Sequence, residues 1–172
     1  MRRSALVGSL AALASLVLLG GCDEFFEGSH WPDCPEVQYP ERHPELVTID
    51  QGLWGDVWFW QGEFMPMCPS GVVFAVSREM QIYEVAGSDD VDMFQYGGFY
   101  SAVHTPLVAV VQSGENGFFE VALEPGRYSL FAVEDSLLYA NGADGYGNIC
   151  PVTVDTGQVV GVTFDITYES TR

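Results

Sequence analysis

Apolar residues recur at every second position over much of the chain after residue 45. From Val160 to Tyr168 the even-numbered positions are apolar or aromatic, while the odd-numbered positions are small or polar. This period of two is typical of a half-buried β-strand. No stretch carries the apolar stripe of a helix of twelve or more residues, so we expect an all-β fold.

Six further stretches have strand character and are separated by short segments rich in glycine, asparagine and aspartate. They begin with GLWGDVWFW and QIYEV, continue with PLVAVVQ and the two halves of GFFEVALEPGRYSLFAVED, and end with CPVTVD. About seven short strands predict a single antiparallel β-sandwich. Between the two halves, Pro125 and Gly126 suit the central positions of a type II turn, which predicts a hairpin.

The amino terminus has the composition of a secretory signal. Arg2 and Arg3 precede an apolar run from Ala5 to Leu19, and small residues follow before Cys22. This run is too short, and too soon followed by acidic residues, for a spanning helix. We therefore expect residues 1–21 to be removed as a signal peptide.

The ending LGGC, Leu19 to Cys22, resembles the lipobox of bacterial lipoproteins. The resemblance implies that Cys22 is acylated and becomes the first residue, and two or three acyl chains hold a domain at a bilayer where one does not. An ordinary cleaved signal with a chance cysteine is the alternative. Asp23 and Glu24 resemble retention or surface-export signals in different lineages, so the membrane and its face stay open.

Residues 22–45 contain four prolines and little periodicity, and we expect a lipidated, flexible tether before a domain at residues 46–172. The whole chain carries 24 acidic and 6 basic residues, a formal net charge of −18. Nucleic acid is excluded as a partner, because binding it requires clustered Lys or Arg.

Three cysteines remain after the anchor, which predicts one disulfide and one free thiol in an oxidising compartment. Cys68 and Cys150 both lie next to predicted strand ends, so we favour their pairing. A bond from Cys34 to either of them is the alternative. No CxxC pair is present to indicate zinc.

Three motifs carry a family resemblance: a Gly-x-Val strand at Gly55 to Val57, Asn-Gly-x-Phe at Asn116 to Phe119, and Leu-x-Pro-Gly-x-Tyr at Leu123 to Tyr128. Together they resemble the carboxypeptidase regulatory-like domain over residues 46–168. The resemblance implies a transthyretin-like (prealbumin-like) sandwich that serves as a non-catalytic module. The related hydroxyisourate hydrolases need clustered histidines and a Tyr-Arg-Gly-Ser terminus. Here only His104 lies within the predicted domain and the chain ends in TYESTR, so we expect no enzyme and no cofactor.

The strand GLWGDVWFW separates its aromatic residues by face. Alternation places Leu53, Val57 and Phe59 on one side, and the other side carries Asp56 and three indoles. These are Trp54, Trp58 and Trp60. A tryptophan row can stack on sugar rings or anchor an interface. The alternative that we prefer is that the stretch from Ser88 to Thr105 folds over the row and buries it.

The glycine-rich loop ANGADGYGNIC, residues 140 to 150, offers oxygen ligands on Asn141, Asp144 and Asn148. One carboxylate is few for calcium, whereas each Asn or Asp next to glycine favours a turn. We interpret the loop as a turn, with weak calcium binding as the alternative.

These features together predict an exported protein that is anchored by Cys22 to membrane lipid in the bacterial cell envelope. Its sandwich would serve as a non-catalytic structural or protein-binding module, with an envelope protein or a glycan as the partner. The alternative function is a carbohydrate or small-ligand module that uses the tryptophan face.

Overall fold

The computed structural model describes residues 34–65, 68–95 and 97–171. The predicted signal peptide and Cys22 lie outside these ranges. The compact unit that contains the strands begins at Cys34. No helix among the described residues has the length and apolar character needed to cross a bilayer.

The fold is all-β, as the alternation predicts, and helical geometry among the described residues is limited to the short 3-10 turns Pro44–Leu46 and Ser88–Asp90. The described residues form eleven strands, more than the seven expected, because several strands are only three or four residues long. The strands are β1 (Gly52–Glu63), β2 (Val72–Ala75), β3 (Glu79–Glu84), β4 (Val91–Met93), β5 (Phe99–Val103), β6 (Leu107–Gln112), β7 (Phe118–Ala122), β8 (Gly126–Glu134), β9 (Leu137–Tyr139), β10 (Pro151–Val154) and β11 (Val159–Thr171).

A four-stranded sheet is built around β1. One side of β1 pairs with β11, and the other side pairs with β7 along its first half and with β2 along its second half. The β1–β11 pair is parallel, with Gly52 opposite Val159 and Phe59 opposite Ile166. The prediction of an antiparallel sandwich is therefore wrong at this pair, whereas the other strand pairs of the described residues are antiparallel.

The remaining strands form a seven-stranded sheet in the order β4-β5-β9-β8-β3-β6, and β10 pairs with the first part of β8. This order leaves β4 at one end of the sheet and β6 at the other.

The two sheets contribute side chains to one buried cluster. Leu53, Val57 and Phe59 of β1 are buried in it, as the alternation predicts, and they meet Ile82 and Leu130 of the other sheet. Burial of this apolar surface is the main term that stabilises the fold.

The predicted hairpin at Pro125 and Gly126 does not form. β7 pairs with β1 in one sheet, while β8 pairs with β3 in the other, so the chain changes sheets at this point. Gly126 does not have a positive φ angle. Its role is spatial, because a Cβ there would lie 3.0 Å from the Tyr128 hydroxyl, which donates a hydrogen bond to the Glu124 carbonyl at 2.8 Å.

The stretch from Ser88 to Thr105 does not cover the tryptophan row, contrary to our expectation. It supplies β4 and β5 to the end of the seven-stranded sheet. There Tyr100 packs edge to face on Phe131, and Phe99 lies against Tyr139. The ring centroid of Phe99 also lies 5.1 Å from that of Tyr168 of β11, so these aromatic rings find partners in both sheets.

Candidate functional site

The tryptophan row is covered by the segment that precedes β1, residues 34–48, which we call the N-terminal arm. Tyr39 lies over the row, with its ring centroid 5.6 Å from that of Trp60 and 6.3 Å from that of Trp58. The guanidinium carbon of Arg42 lies 4.7 Å from the centroid of Trp54. The predicted tether therefore ends earlier than residue 45, because its second half packs on the sheet.

A buried carboxylate fixes the middle of the arm. Asp56 on β1 is completely buried, and its Oδ1 lies 2.8 Å from Nδ1 of His43. The His43 backbone N–H donates to Oδ2 at 3.4 Å, and Arg42 Nε lies 3.6 Å from the same oxygen. A buried carboxylate is costly unless it is paired, so Asp56 requires the arm.

Two further attachments hold the ends of the arm. At one end a disulfide joins Cys34 to Cys68, with the Cα atoms 5.2 Å apart. At the other end the Thr48 backbone N–H and hydroxyl donate to the Glu120 carboxylate at 2.8 and 2.5 Å. These hydrogen bonds lower the pKa of Glu120 because they favour its charged form.

The favoured disulfide, Cys68 with Cys150, is therefore wrong, and the alternative partner Cys34 takes its place. The prediction of one disulfide and one free thiol among these three cysteines is confirmed. Our error came from treating Cys34 as part of a detached tether. Burial raises the pKa of the Cys150 thiol, whose Sγ accepts a hydrogen bond from the Gly142 N–H.

The arm leaves one polar atom of the tryptophan row without a partner. Trp58 Nε1 is the only buried side-chain nitrogen or oxygen in the described ranges that lacks a hydrogen bond. By contrast, Trp60 Nε1 donates to Asp165 at 2.9 Å. Buried polar groups are nearly always paired, so this indole N–H is an open donor beneath the arm.

The contact between His43 and Asp56 is of the same kind as the one that orients the histidine of a hydrolytic triad. Among the described residues, the His43 ring hydrogen-bonds only to Asp56. A nucleophilic hydroxyl or thiol on the other ring nitrogen is needed for acyl transfer. What the described residues show is that this pair attaches the arm to β1.

The Asp144 carboxylate is occupied by the chain that surrounds it. Oδ1 accepts the backbone N–H groups of Tyr146 and Asn148 at 2.9 and 3.0 Å, and Oδ2 accepts the Asn148 side-chain amide at 2.7 Å. The first two bonds form the turn that we expect of aspartate in this position. The hydrogen bonds from Asn148, with a smaller contribution from Arg127, lower the pKa of Asp144.

The candidate calcium ligands Asn141, Asp144 and Asn148 are only partly brought together. Asn141 donates to Thr167 on β11, away from the Asp144–Asn148 turn. No cluster of three His, Cys, Asp or Glu side chains suited to a metal ion occurs in the part of the chain that the structure describes.

A charged cluster connects the two sheets at the far end of β11. Glu134 on β8 accepts from Arg78 Nε at 2.5 Å and from the Tyr168 hydroxyl at 2.8 Å. Burial, together with the hydrogen bond to Glu134, raises the pKa of Tyr168 well above its usual range. All three polar groups are used in these contacts, so the cluster stabilises the fold.

The open edge of β6 is a surface feature that the sequence analysis did not single out. Among the eleven described strands β6 pairs only with β3, and Leu107, Val108 and Val110 are 50%, 44% and 51% exposed. No charged residue occurs from position 105 to 113. The sequence PLVAVVQ already indicated this exposure. Its apolar run lacks the alternating polar residues of a strand with one solvated face.

Two clefts lie beside this edge, and Val108 and Tyr128 line both of them. We call the two together the edge groove. One cleft has a volume of about 580 Å³ and is also lined by Asp50 and Glu124. The other measures about 380 Å³ and is also lined by Glu84. Burial raises the pKa of Tyr128, and the nearby charges of Glu124 and Glu84 raise it further.

Comparison with known proteins identified no relative of this chain. No protein-family model matches the chain, and neither a curated protein nor a solved structure matches it.

Proposed function

We propose that this chain is an exported, lipid-anchored protein of the bacterial cell envelope that binds another envelope protein and catalyses no reaction. In this proposal the two sheets pack as a transthyretin-like sandwich, and acylated Cys22 holds the sandwich at the inner or outer membrane.

The open edge of β6 is the observation that carries the binding function. Exposed edge strands pair with other chains unless charge, proline, short length or a covering segment protects them. At the opposite end of the same sheet, β4 has only three residues and carries Asp92, which pairs with His104 at 3.1 Å. β6 has six residues and no charge, so an interaction partner explains why it is left open.

The attachment of the arm supports a role close to the membrane. In the sequence Cys22 lies shortly before Cys34, where the disulfide to Cys68 begins the compact unit. A protein held in this way can present the β6 edge to neighbours in or near the bilayer.

Two experiments test the proposal on the full chain in intact envelopes. Metabolic labelling with an alkyne fatty acid should label the wild-type protein and leave a Cys22→Ser variant unlabelled. A photocrosslinking residue at position 110 should give a discrete protein adduct, while the same residue at Tyr146, which is 93% exposed, gives none. Absence of the lipid label contradicts the anchor, and absence of a specific adduct contradicts the binding function.

A carbohydrate or small-ligand module remains the second candidate, and the unpaired Trp58 Nε1 favours it. A sugar hydroxyl can accept from this indole only if Tyr39 moves away. A Trp58→Phe variant removes the N–H and keeps an aromatic ring. Equal behaviour of the two proteins on a glycan array contradicts the sugar function, and a glycan retained only by wild type supports it.

A further inference from the structure

We propose that the β6 edge binds an extended, positively charged segment of the partner protein, which adds to the seven-stranded sheet as a further strand. This inference rests on the proposed function and specifies the chemistry of the partner.

The backbone of β6 has N–H and C=O groups on one side that an added strand can pair with. In an antiparallel pair, alternate residues direct their N–H and C=O groups away from the neighbouring strand. Hydrogen bonds from β6 to β3 use one side of the strand, and in the described ranges no other strand pairs with the second side. An added strand satisfies these groups and gains affinity from main-chain hydrogen bonds.

The side chains of β6 favour an apolar segment. Ala109 and Val111 pack against the core cluster, whereas Val110 between them is half exposed. Val108 lies at a register irregularity opposite Ile82 and Tyr83, and it also lines both clefts of the edge groove. A partner strand with β-branched residues at alternate positions can cover Val110 and Val108.

The charges beside β6 select a cationic segment. Asp50, Glu84 and Glu124 are exposed around the edge groove, and none of their carboxylates forms an ion pair or hydrogen bond with another described residue. One cation, Arg127, also lines the smaller cleft, and its guanidinium pairs with Asp144 at 3.4 Å. Lys or Arg flanking the apolar positions of a partner strand complements this rim.

The same charges argue against a second copy of the chain as the occupant. Two copies each carry a net charge of −18, and in the described ranges Arg42, Arg78 and Arg127 are each already paired with a carboxylate. Electrostatic repulsion therefore opposes self-pairing, while a cationic strand is attracted.

A synthetic peptide tests the inference on the purified full-length chain. The probe is a fluorescently labelled peptide with the sequence Arg-Thr-Val-Thr-Val-Thr-Val-Arg. Fluorescence anisotropy measures its binding, and shifts of backbone amide NMR signals locate the site. We expect saturable binding with the largest shifts in β6.

Matched controls separate strand addition from simple charge attraction. N-methylation of alternate peptide nitrogens, which removes N–H donors and keeps charge, should abolish binding. A peptide with Glu in place of Arg should bind at least tenfold more weakly. The double variant Glu84→Gln and Glu124→Gln should weaken binding of the cationic peptide by about tenfold. Val110→Lys should also abolish binding without lowering the melting temperature, because the side chain is half exposed.

The outcomes distinguish this inference from the proposed function. No binding, binding that survives N-methylation, or shifts outside β6 overturn strand addition, and equal binding of the Glu peptide overturns the charge assignment. A concentration-dependent dimer that Val110→Lys disrupts overturns the partner assignment in favour of a second copy. If the photoadduct at position 110 forms in envelopes but the peptide does not bind, only the inference of cationic strand addition is contradicted. If the photoadduct is also absent, the proposed binding function is contradicted as well.

Discussion

His43 Nδ1 lies 2.8 Å from Oδ1 of the fully buried Asp56, and this contact fixes the N-terminal arm to the four-stranded sheet. His43 precedes the first strand, in a proline-rich segment whose sequence indicates a tether. The buried Asp56 carboxylate on β1 takes its polar partners from that segment, so part of the segment is a component of the domain.

Replacement of His43 should therefore destabilise the whole domain. We expect His43→Ala to lower the free energy of unfolding by about 2–4 kcal/mol, since it leaves Oδ1 of Asp56 without its partner and keeps only the residue-43 backbone N–H and Arg42 near Oδ2. Urea denaturation measures the change. His104→Ala is the matched control, because its ring contacts an exposed carboxylate, and it should change stability by less than about 1 kcal/mol. Equal effects of the two variants contradict the role of His43.

The disulfide provides a second test of the arm. Peptide mapping under non-reducing conditions should recover Cys34 linked to Cys68, with Cys150 labelled by a thiol reagent after unfolding. Cys34→Ser should lower stability by about 2–4 kcal/mol because the constraint on the unfolded chain is lost. Cys150→Ser should leave the disulfide intact. Recovery of a Cys68–Cys150 peptide instead contradicts the arm as described.

The sequence predicted the strands well, because alternation of apolar residues reports directly on which face of a strand is buried. It predicted the faces of β1 correctly for Leu53, Val57 and Phe59. It did not predict which strands pair. A Pro-Gly turn is compatible with a hairpin and with a change of sheet, and the outcome at Pro125 and Gly126 depends on distant strands that compete for β7 and β8.

The candidate sites were predicted less completely for a related reason. The tryptophan row was identified from the alternation of one strand. The segment that covers it has no periodicity, and the roles of Tyr39, Arg42 and His43 depend on their contacts with β1. The β6 edge was recognised as a strand, yet its exposure depends on its position at the end of the sheet. Sheet order is set by long-range contacts that local patterns do not contain.

Gly126 should be intolerant of a side chain even though its backbone conformation is ordinary. A Cβ at this position lies 3.0 Å from the Tyr128 hydroxyl, so Gly126→Ala should displace the ring and break its bond to the Glu124 carbonyl. We expect a loss of about 1–3 kcal/mol in thermal or urea unfolding. Gly145→Ala is the control, because an added Cβ there meets no atom within 4 Å. Unchanged stability of Gly126→Ala contradicts this explanation of the Pro-Gly-x-Tyr motif.

The Cys150 thiol should be unreactive in the folded protein at mildly alkaline pH. Burial raises its pKa, so the neutral thiol persists where an unfolded cysteine, with a pKa of about 8.5, already ionises. Its contribution to stability is fully present below the unfolded pKa and is lost as pH rises through the folded pKa. Iodoacetamide alkylation at a pH of about 8.5 should be much slower in buffer than in urea. Equal rates contradict burial of the thiol.

Hydrogen exchange along β6 in native envelopes compared with purified protein tests the central claim most directly. We predict that amides of Leu107–Gln112 which exchange quickly in the purified chain become protected in envelopes, while amides of Val91–Met93 at the opposite sheet end exchange equally in both. Identical exchange of β6 in the two preparations contradicts the claim that its open edge receives a partner.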